Sequence, residues 1–472
     1  MVLEFYMKDI NFNNRDWGNL FLLKPIIINN TMFSKDQIKL FFLQFILISG
    51  IILINEEQSY LFLFFYILAS VFCILNPKYI LYIFYSSIWI SLKLHFEIAN
   101  VIIRLSDIIF LLLFSSWLIN SFYNKRLMID TPKKNDYVII GFVLLSCFSL
   151  ITSLNRFGTI VEIIQIFQLI FLYYMLKSII KNDRDIKYFM IATIIFGLID
   201  SFYIFYTVFE RGIGGRHIGI LEKTPDEIPY SLVFLYLLFL SEKNMFIKGI
   251  KLGLLLILTV ALFLTMGRGL LIITGVMFVV STIIYLGSRK KYINIVIMFT
   301  AAAIISIFLI SSSQSASKRY GSIVKGGEHI DLRLYNYYSS IMIMKKYPFT
   351  GVGLGNDYEY LKANLPDFSP ELVRKWGGDT PHNELLHFGI QSGVVGVVFA
   401  IFFYFSLIRR SYKILTQKKL QSQTLAIGLF SFSIGIFLWS LANDVILAGY
   451  GSLAILITAF TDKIYGSNEA SY

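Results

Sequence analysis

The stretch LGLLLILTVALFLTMGRGLLIITGVMFVVSTIIYLG (252–287) contains two long apolar runs that are separated by a single charged residue, Arg268. A membrane-spanning helix needs about 20 predominantly apolar residues, so each half of this stretch is long enough to cross a bilayer. The stretch therefore predicts two consecutive transmembrane helices that are joined by a short turn at Arg268.

The whole 472-residue chain has the same character, because 56% of its residues are hydrophobic and only 15% are charged. About 25% of the residues in a soluble domain are charged. The apolar runs lie at 38–54, 60–75, 79–92, 105–122, 137–154, 158–176, 186–209, 228–241, 248–266, 270–287, 292–312, 383–408, 424–441 and 444–460. Three of them (60–75, 79–92 and 228–241) are short, so we expect an all-α polytopic membrane protein with 12 to 14 transmembrane helices.

The lysines and arginines in the connections between these runs indicate the orientation of the chain. One set of connections holds 19 basic residues: 124–136, 177–187, 241–251, 287–292 and 409–423. The connections that alternate with them hold five: 154–158, 210–228, 267–270 and 441–444. Since basic residues in short loops resist translocation, the first set is predicted to be cytoplasmic. The same pattern explains the net charge of +12 without a nucleic-acid partner, which would need one contiguous basic patch.

This orientation predicts the organisation of the whole chain, with the one long connection outside the membrane and both termini cytoplasmic for an even number of spans. The predicted segments are a cytoplasmic N-terminal segment (1–37), a transmembrane bundle (38–312), a large extracytoplasmic loop (313–382), the last three transmembrane helices (383–460) and a cytoplasmic tail (461–472). Cys73 and Cys147 both lie in apolar runs, so neither a disulfide nor a metal site is predicted.

The large loop contains a pattern that is typical of an amphipathic helix. Its apolar positions with helical spacing are Leu334, Tyr338, Ile341 and Met342. Such a helix is expected to lie on the membrane or on the bundle, and to end before Pro348. The following GVGLGN (351–356) is glycine-rich, but a phosphate-binding loop needs a preceding strand and a following helix with Lys-Ser/Thr. The segment is therefore predicted to be a tight turn.

The stretch GGDTPHNELLHFGIQSGVVG (377–396) runs from this loop into an apolar run. Thr380 can cap a helix and Pro381 suits the first helical position, so His382 and Asn383 are expected in the first turn. His382 could be an ordinary early-helix residue. Alternatively, the helix presents it at the outer mouth of the bundle, where a helix N-terminus also favours anions such as pyrophosphate.

Two further features of this stretch concern packing. Gly389 and Gly393 are four residues apart, which would let a neighbouring helix approach closely. His387 is expected to lie on a different face from His382 and to be structural.

Several arginines are predicted to lie on the same outer side as His382. Ionisable groups at membrane depth are costly and are functional candidates by default. For Arg268 the alternative is a side chain that only extends to the interface. Arg156 and Arg211 fit ordinary interfacial charges, Arg216 fits either interpretation, and Arg333 lies on the same side in the large loop.

Three pieces of the sequence resemble the O-antigen ligase and O-antigen polymerase superfamily of bacterial membrane glycosyltransferases. MGRGLL (266–271) resembles its Ser/Gly-Arg-Gly segment, although Gly267 stands where many members have serine, so no hydroxyl is expected there. DLRLYNYYSSIMIMKKYPFTGVGLGNDY (331–358) resembles its arginine-containing helix with the following glycine pattern. PHNELLHFGIQSGVVG (381–396) is similar to its His-Asn-x-x-Leu segment.

This resemblance implies a GT-C-like fold of the lipid-carrier-dependent glycosyltransferases, with one large outer loop before the last three spans. The implied donor is a glycan on undecaprenyl pyrophosphate, and the implied acceptor is a glycan or lipid-linked glycan. The implied location is the outer face of the bacterial plasma membrane. Neither a nucleotide sugar nor a cofactor or metal is implied. A repeat-unit polymerase is slightly preferred over a ligase, because nothing in the sequence specifies a lipid A partner.

The reaction needs charge stabilisation on the leaving pyrophosphate and removal of a proton from the acceptor hydroxyl. Arginine can bind phosphate oxygens with two parallel hydrogen bonds, and histidine accepts protons near neutral pH. The catalytic candidates are the general base His382 with Arg268 and Arg333. The substrate-binding candidates are Arg216, Asn383 and Arg211.

Two other classes of protein remain open from the residues alone. A transporter or flippase for lipid-linked sugars would also be polytopic, but transporters often have two similar halves and polar residues at mid-membrane. No obvious repeat is present, and the outer charges cluster beside one large loop. A structural membrane scaffold is the other alternative.

Overall fold

The structure is a computed structural model. It describes residues 76–90, 95–98, 101–124, 155–180, 183–211, 227–265, 267–287, 328–357, 381–416, 423–443 and 454–461, together with positions 67, 70–71, 74, 141, 143–144, 147–151, 153, 360–361 and 452. The predicted spans at 38–54 and 292–312 lie outside these residues. Those at 60–75, 137–154 and 444–460 are described only in part.

The described chain is predominantly α-helical, as predicted. Its helices are α1 (Pro77–Ile90), α2 (Leu105–Tyr123), α3 (Arg156–Ile179), α4 (Asp183–Arg211), α5 (Glu227–Ser241), α6 (Met245–Leu264), α7 (Arg268–Gly287), α8 (Glu328–Lys346), α9 (Glu384–Thr416) and α10 (Gln423–Ser440).

A short β-hairpin before α2 was not predicted from the sequence. Strands β1 (His95–Ile98) and β2 (Val101–Arg104) pair in antiparallel register, with His95 opposite Arg104. Val101 and the two residues after it are β-branched, which favours strand conformation. The hairpin leads directly into α2, whose start is fixed by a 2.8 Å hydrogen bond from the backbone N–H of Arg104 to Asp107 Oδ2.

Seven of the described helices are long and apolar enough to cross a membrane: α2, α3, α4, α6, α7, α9 and α10. They coincide with the predicted runs at 105–122, 158–176, 186–209, 248–266, 270–287, 383–408 and 424–441. Large apolar side chains on them are exposed, including Phe122, Ile164, Leu256 and Phe405. So large an apolar surface is typical of contact with lipid, and the chain is a multi-pass membrane protein.

Helix α5 forms the centre of the bundle. Every residue from 227 to 237 is buried, and the helix packs against α4, α6, α7 and α10. Its 15 residues agree with the short run predicted at 228–241. Buried hydroxyl groups join the surrounding helices, as is common between membrane helices: Ser281 Oγ on α7 donates to Ser431 Oγ on α10 at 2.7 Å.

Helix α9 is a hairpin of two helical segments that turns at Gly393. This glycine has φ 66° and ψ −159°, a conformation that is not helical. The rings of Phe388 and Phe399 are 6.2 Å apart, although a straight helix would separate these residues by about 16 Å. The Tyr404 hydroxyl donates a hydrogen bond to the Glu384 carboxylate, twenty positions away. The first segment (384–392, α9a) therefore folds back antiparallel on the second (394–416, α9b).

This hairpin corrects the prediction of one continuous span at 383–408. Hydropathy does not distinguish a straight helix from one that reverses, because both segments are apolar. Segment α9b alone has enough residues to cross a bilayer, whereas α9a is too short. The end of the bundle at which α9a begins is the location of the candidate site.

Candidate functional site

The segment GVGLGN forms a tight turn, as predicted, and not a phosphate-binding loop. Gly351, Gly353 and Gly355 have φ values of 63°, 94° and 71°, a region that glycine enters without steric cost. A Cβ atom on Gly351 would overlap the backbone of Gln391, and one on Gly355 would lie 3.3 Å from the carbonyl of Gly158. This glycine turn (350–356) therefore packs between α9a and the start of α3.

On one side, the glycine turn completes the hydrogen bonding of the broken helix. The backbone N–H of Val352 donates to the Ile390 carbonyl at 2.8 Å, and that of Gly353 donates to the Gln391 carbonyl at 3.1 Å. These are carbonyls that the end of α9a would otherwise leave without a partner. The N–H of Val394, at the start of α9b, donates to the Pro348 carbonyl at 2.7 Å.

On the other side, Asn356 anchors the glycine turn to the start of α3. Its amide nitrogen donates to Ser153 Oγ at 2.9 Å, to Thr159 Oγ1 at 3.0 Å and to the Leu354 carbonyl at 3.0 Å. Its amide oxygen accepts from the backbone N–H of Asn155 at 2.9 Å. Asn356 is 1% exposed, so water cannot replace these bonds.

Replacing Asn356 with alanine is expected to destabilise the protein by roughly 2–4 kcal/mol, because it leaves several buried polar groups without partners. The measurement is the midpoint of thermal unfolding in detergent. The matched control is Asn124→Ala, since Asn124 is exposed and its side chain bonds only within its own helix end. Equal midpoints for the two variants would contradict the anchoring role of Asn356.

The start of α9a differs from the prediction. The helix begins at Glu384, and Asn383 is its cap, because Asn383 Oδ1 accepts from the backbone N–H of Leu386 at 3.2 Å. The expectation that Pro381 is the first helical residue was therefore wrong. His382 lies before the helix, half-buried, with a left-handed φ of 49°. Thr380 lies outside the described residues.

Three helix ends meet next to His382. Asn383 Nδ2 donates to the Leu441 carbonyl, just after the end of α10, at 3.1 Å. A Cβ atom on Gly269, in the first turn of α7, would lie 3.4 Å from the ring of Trp439 near the same end of α10. The backbone of Arg268 begins α7, so Arg268 and His382 belong to elements that converge at one end of the bundle.

Helix α8 runs parallel to α9a. Met344 Sδ would lie 2.5 Å from a Cβ atom on Gly389, and four residues further on, the Pro348 carbonyl packs against Gly393. The predicted close approach of a helix holds at Gly389, where the neighbour is α8, whereas Gly393 meets the turn that follows α8. Arg333 lies eleven residues, about three helical turns, before Met344 on α8. Arg333 is exposed.

The two faces of α8 have different chemistry. Leu334, Tyr338, Ile341 and Met342 are all exposed, between 44% and 56%, so the predicted apolar face points away from the described bundle. The helix itself lies on the bundle, because its other face packs against α9. The buried face carries Asn336, Ser339, Ser340 and Ile343. Contact of the apolar face with lipid stays a prediction.

A buried polar cluster lies between α9a, the glycine turn and α3, and it consists of Asp357, His387, Gln391 and Glu162. Gln391 Nε2 donates to Asp357 Oδ1 at 3.0 Å and lies 2.7 Å from His387 Nε2. His387 Nε2 lies 3.4 Å from Asp357 Oδ2. Burial raises the pKa of Asp357, but the charge of His387 and hydrogen bonds from His387 and Gln391 outweigh it and lower this pKa to about 2.

The sequence-based interpretation missed most of this cluster, although one signal was present. Glu162 is an acidic residue within the apolar run TIVEIIQIF (159–167), and its carboxylate oxygen Oε2 has no hydrogen-bond partner among the described residues. His387 and Arg104 lie within electrostatic reach of Glu162. Within the part of the chain that is described, no group of three His, Cys, Asp or Glu residues could hold a metal ion.

The two remaining predicted site residues, Arg216 and Arg211, stay predictions. Arg216 lies outside the described residues. Arg211 is the last residue of α4 and, like Arg268, is described at the level of the backbone.

The part of the chain that contains the candidate site is similar to a known protein family. No curated protein matches the chain. A family model described as O-antigen ligase matches residues 253–401, which include α7, α8, the glycine turn and the α9 turn at Gly393. This match confirms the resemblance seen in the three sequence pieces, because all three lie within residues 253–401, the region that is similar to the O-antigen ligase family.

Proposed function

We propose that the protein is a membrane glycosyltransferase that transfers or polymerises glycans carried on undecaprenyl pyrophosphate at the outer face of the plasma membrane. The observation that carries the proposal is that the start of α7, where Arg268 lies, and the start of α9a, which follows His382, both contact the end of α10. The O-antigen ligase domain supports the same class of reaction.

The reaction is a single displacement. The oxygen of an acceptor hydroxyl attacks the anomeric carbon of the donor sugar, and the bond from that carbon to the pyrophosphate oxygen breaks. The hydroxyl proton passes to His382, and the configuration at the anomeric carbon is inverted. Arg268 and Arg333 stabilise the negative charge on the departing undecaprenyl pyrophosphate, because a guanidinium group binds phosphate oxygens with paired hydrogen bonds.

The helix ends add to this electrostatic stabilisation. Both α7 and α9a begin at the proposed site, and a helix N-terminus carries a partial positive charge that favours anions. Asn383 has a structural task in capping α9a, so its contribution to the reaction is to fix the helix behind His382. Arg216 and Arg211 remain proposed contacts of the donor or acceptor glycan.

Replacing Arg268 with lysine is expected to lower the rate of glycan transfer about 10-fold or more, because lysine keeps the charge but cannot make the paired hydrogen bonds. The measurement is product formation by membranes that contain equal amounts of protein. Arg409→Lys is the matched control, since Arg409 is exposed near the opposite end of α9b. Full activity of Arg268→Lys would indicate that Arg268 only extends to the membrane interface.

The slight preference for a repeat-unit polymerase over a ligase is tested by the glycans of a deletion strain. Loss of a polymerase leaves single repeat units, on the carrier or attached to the acceptor. Loss of a ligase leaves long chains on the lipid carrier. Finding long carrier-bound chains would overturn the preference for a polymerase.

A further inference from the structure

The position of the proposed base depends on a helix that is too short to be stable alone. Segment α9a has nine residues, from 384 to 392, and isolated helices shorter than about 12 residues are marginal in water. His382 comes directly before this segment and is not itself helical. Whatever fixes α9a in the bundle therefore also fixes His382.

Asp357 contacts α9a through two side chains that lie one helical turn apart. Gln391 donates to one of its carboxylate oxygens at 3.0 Å, and His387 lies 3.4 Å from the other. The contacts admit two proton arrangements. With a neutral imidazole, the Gln391 amide donates to both Asp357 and His387, and with an imidazolium, His387 donates to Asp357. In both arrangements Gln391 donates to the carboxylate, and His387 is joined to it through the Gln391 amide when neutral and directly when protonated.

Asp357 is also held from the opposite side. It directly follows Asn356, whose side chain bonds to Ser153, Asn155 and Thr159 at the start of α3. Helix α3 is one of the candidate membrane spans. A continuous set of polar contacts thus runs from a membrane-spanning helix through Asn356 and Asp357 to α9a.

The chemistry of these contacts favours a positioning role over a stabilising one. Asp357 and His387 are each 6% exposed, and Gln391 is 1% exposed. Groups of buried charged and polar side chains contribute little to stability compared with well-packed apolar residues. Their best-supported role is to select one packing arrangement of the elements that carry them. An apolar contact would tolerate sliding of α9a against the glycine turn, whereas directional hydrogen bonds do not.

We propose that Asp357, together with Gln391 and His387, forms a positioning bracket that sets α9a, and through it His382, for proton transfer. The proposal rests on the function proposed above. The proposal also explains the glycine turn, because this turn holds Asp357 against Gln391 and His387 of α9a. Asp357, Gln391 and His387 are positioning residues and do not contact the reacting atoms.

The first test compares kcat and the donor KM of the purified wild-type protein with those of Asp357→Ala and Asp357→Asn. We expect Asp357→Ala to lower kcat at least about 10-fold, since small misplacement of a reacting group can cost about 100-fold. The donor KM should change less than about threefold. Asp357→Asn retains an oxygen that can accept from Gln391, so it should recover part of kcat.

The matched control is Tyr236→Phe, which removes the buried 3.0 Å contact between Tyr236 and Thr282 away from α9a. If the bracket only stabilises the fold, Asp357→Ala and Tyr236→Phe will lower the unfolding midpoint alike and leave kcat of the folded protein unchanged. That result would overturn the proposal. If Asp357→Ala does not fold, Asp357→Asn and Gln391→Met take its place in the same comparison.

A second measurement separates failure of the bracket from failure of the proposed function, because it does not use activity. Amide hydrogen exchange of residues 384–392 should be at least about 10-fold faster in Asp357→Ala than in wild type, with α7 and α10 unchanged. Unchanged exchange in α9a would overturn the bracket even if His382 proves essential. Faster exchange in Asp357→Ala, combined with a wild-type protein that transfers no glycan, would leave the bracket standing and remove only the proposed function.

Discussion

Replacing His382 with asparagine is expected to abolish glycan transfer while the protein still inserts into the membrane. A general base contributes about 10²–10⁴ to the rate, and an amide cannot take up the hydroxyl proton at neutral pH. Asparagine suits the test because His382 has a φ of 49°, and asparagine tolerates the left-handed region better than most residues. The backbone before α9a is therefore preserved.

Two further substitutions separate loss of the base from backbone strain. His382→Ala removes the same base but places alanine in a conformation that costs about 1–2 kcal/mol for a residue with a Cβ atom. His382→Gly removes the base without this cost. All three variants should be inactive at normal membrane levels, as measured by polymer formation. Near-wild-type polymer from any of them would exclude His382 as the base.

Replacing Gly393 with alanine is expected to be strongly destabilising, with a loss of roughly 2–5 kcal/mol from the strained φ and the overpacked Cβ atom together. Gly393 has a φ of 66°, where a Cβ atom is strained, and that atom would overlap the Pro348 carbonyl. Both effects act at the turn of the α9 hairpin. The measurement is the thermal unfolding midpoint in detergent, together with the amount of protein in the membrane.

Gly275→Ala is the matched control for Gly393→Ala. Gly275 is also a glycine within a candidate span, but it lies in regular helix and a Cβ atom there would meet nothing within 4 Å. Alanine is preferred over glycine in a helix by about 1 kcal/mol, so this variant should match or exceed the wild-type midpoint. A Gly393→Ala protein as stable as Gly275→Ala would show that α9 does not need to turn at this residue.

The membrane architecture was predictable because hydropathy depends on composition over about 20 residues. The runs at 105–122 and 270–287 coincide with α2 and α7 to within a few residues. The α9 hairpin was not predictable in this way. Its turn depends on the conformation of one glycine, which is fixed by Pro348 and by backbone bonds from Val352 and Gly353.

The candidate site was likewise predictable only in part. Sequence patterns singled out His382 and Asn383, but the cap was assigned to Thr380 because several residue types can cap a helix, and only geometry shows which one does. The cluster around Asp357 is assembled from distant parts of the chain. Asn356 and Thr159, for example, are 197 positions apart, and no local pattern links them.

The most direct test uses the purified protein in vesicles, with an oligosaccharide on undecaprenyl pyrophosphate and no nucleotide sugar. The proposed function predicts that the wild-type protein forms a longer or transferred glycan and releases undecaprenyl pyrophosphate, and that His382→Asn forms neither product. The contradicting result is a wild-type protein that leaves the glycan on its carrier but moves it across the bilayer, because that is the activity of a transporter.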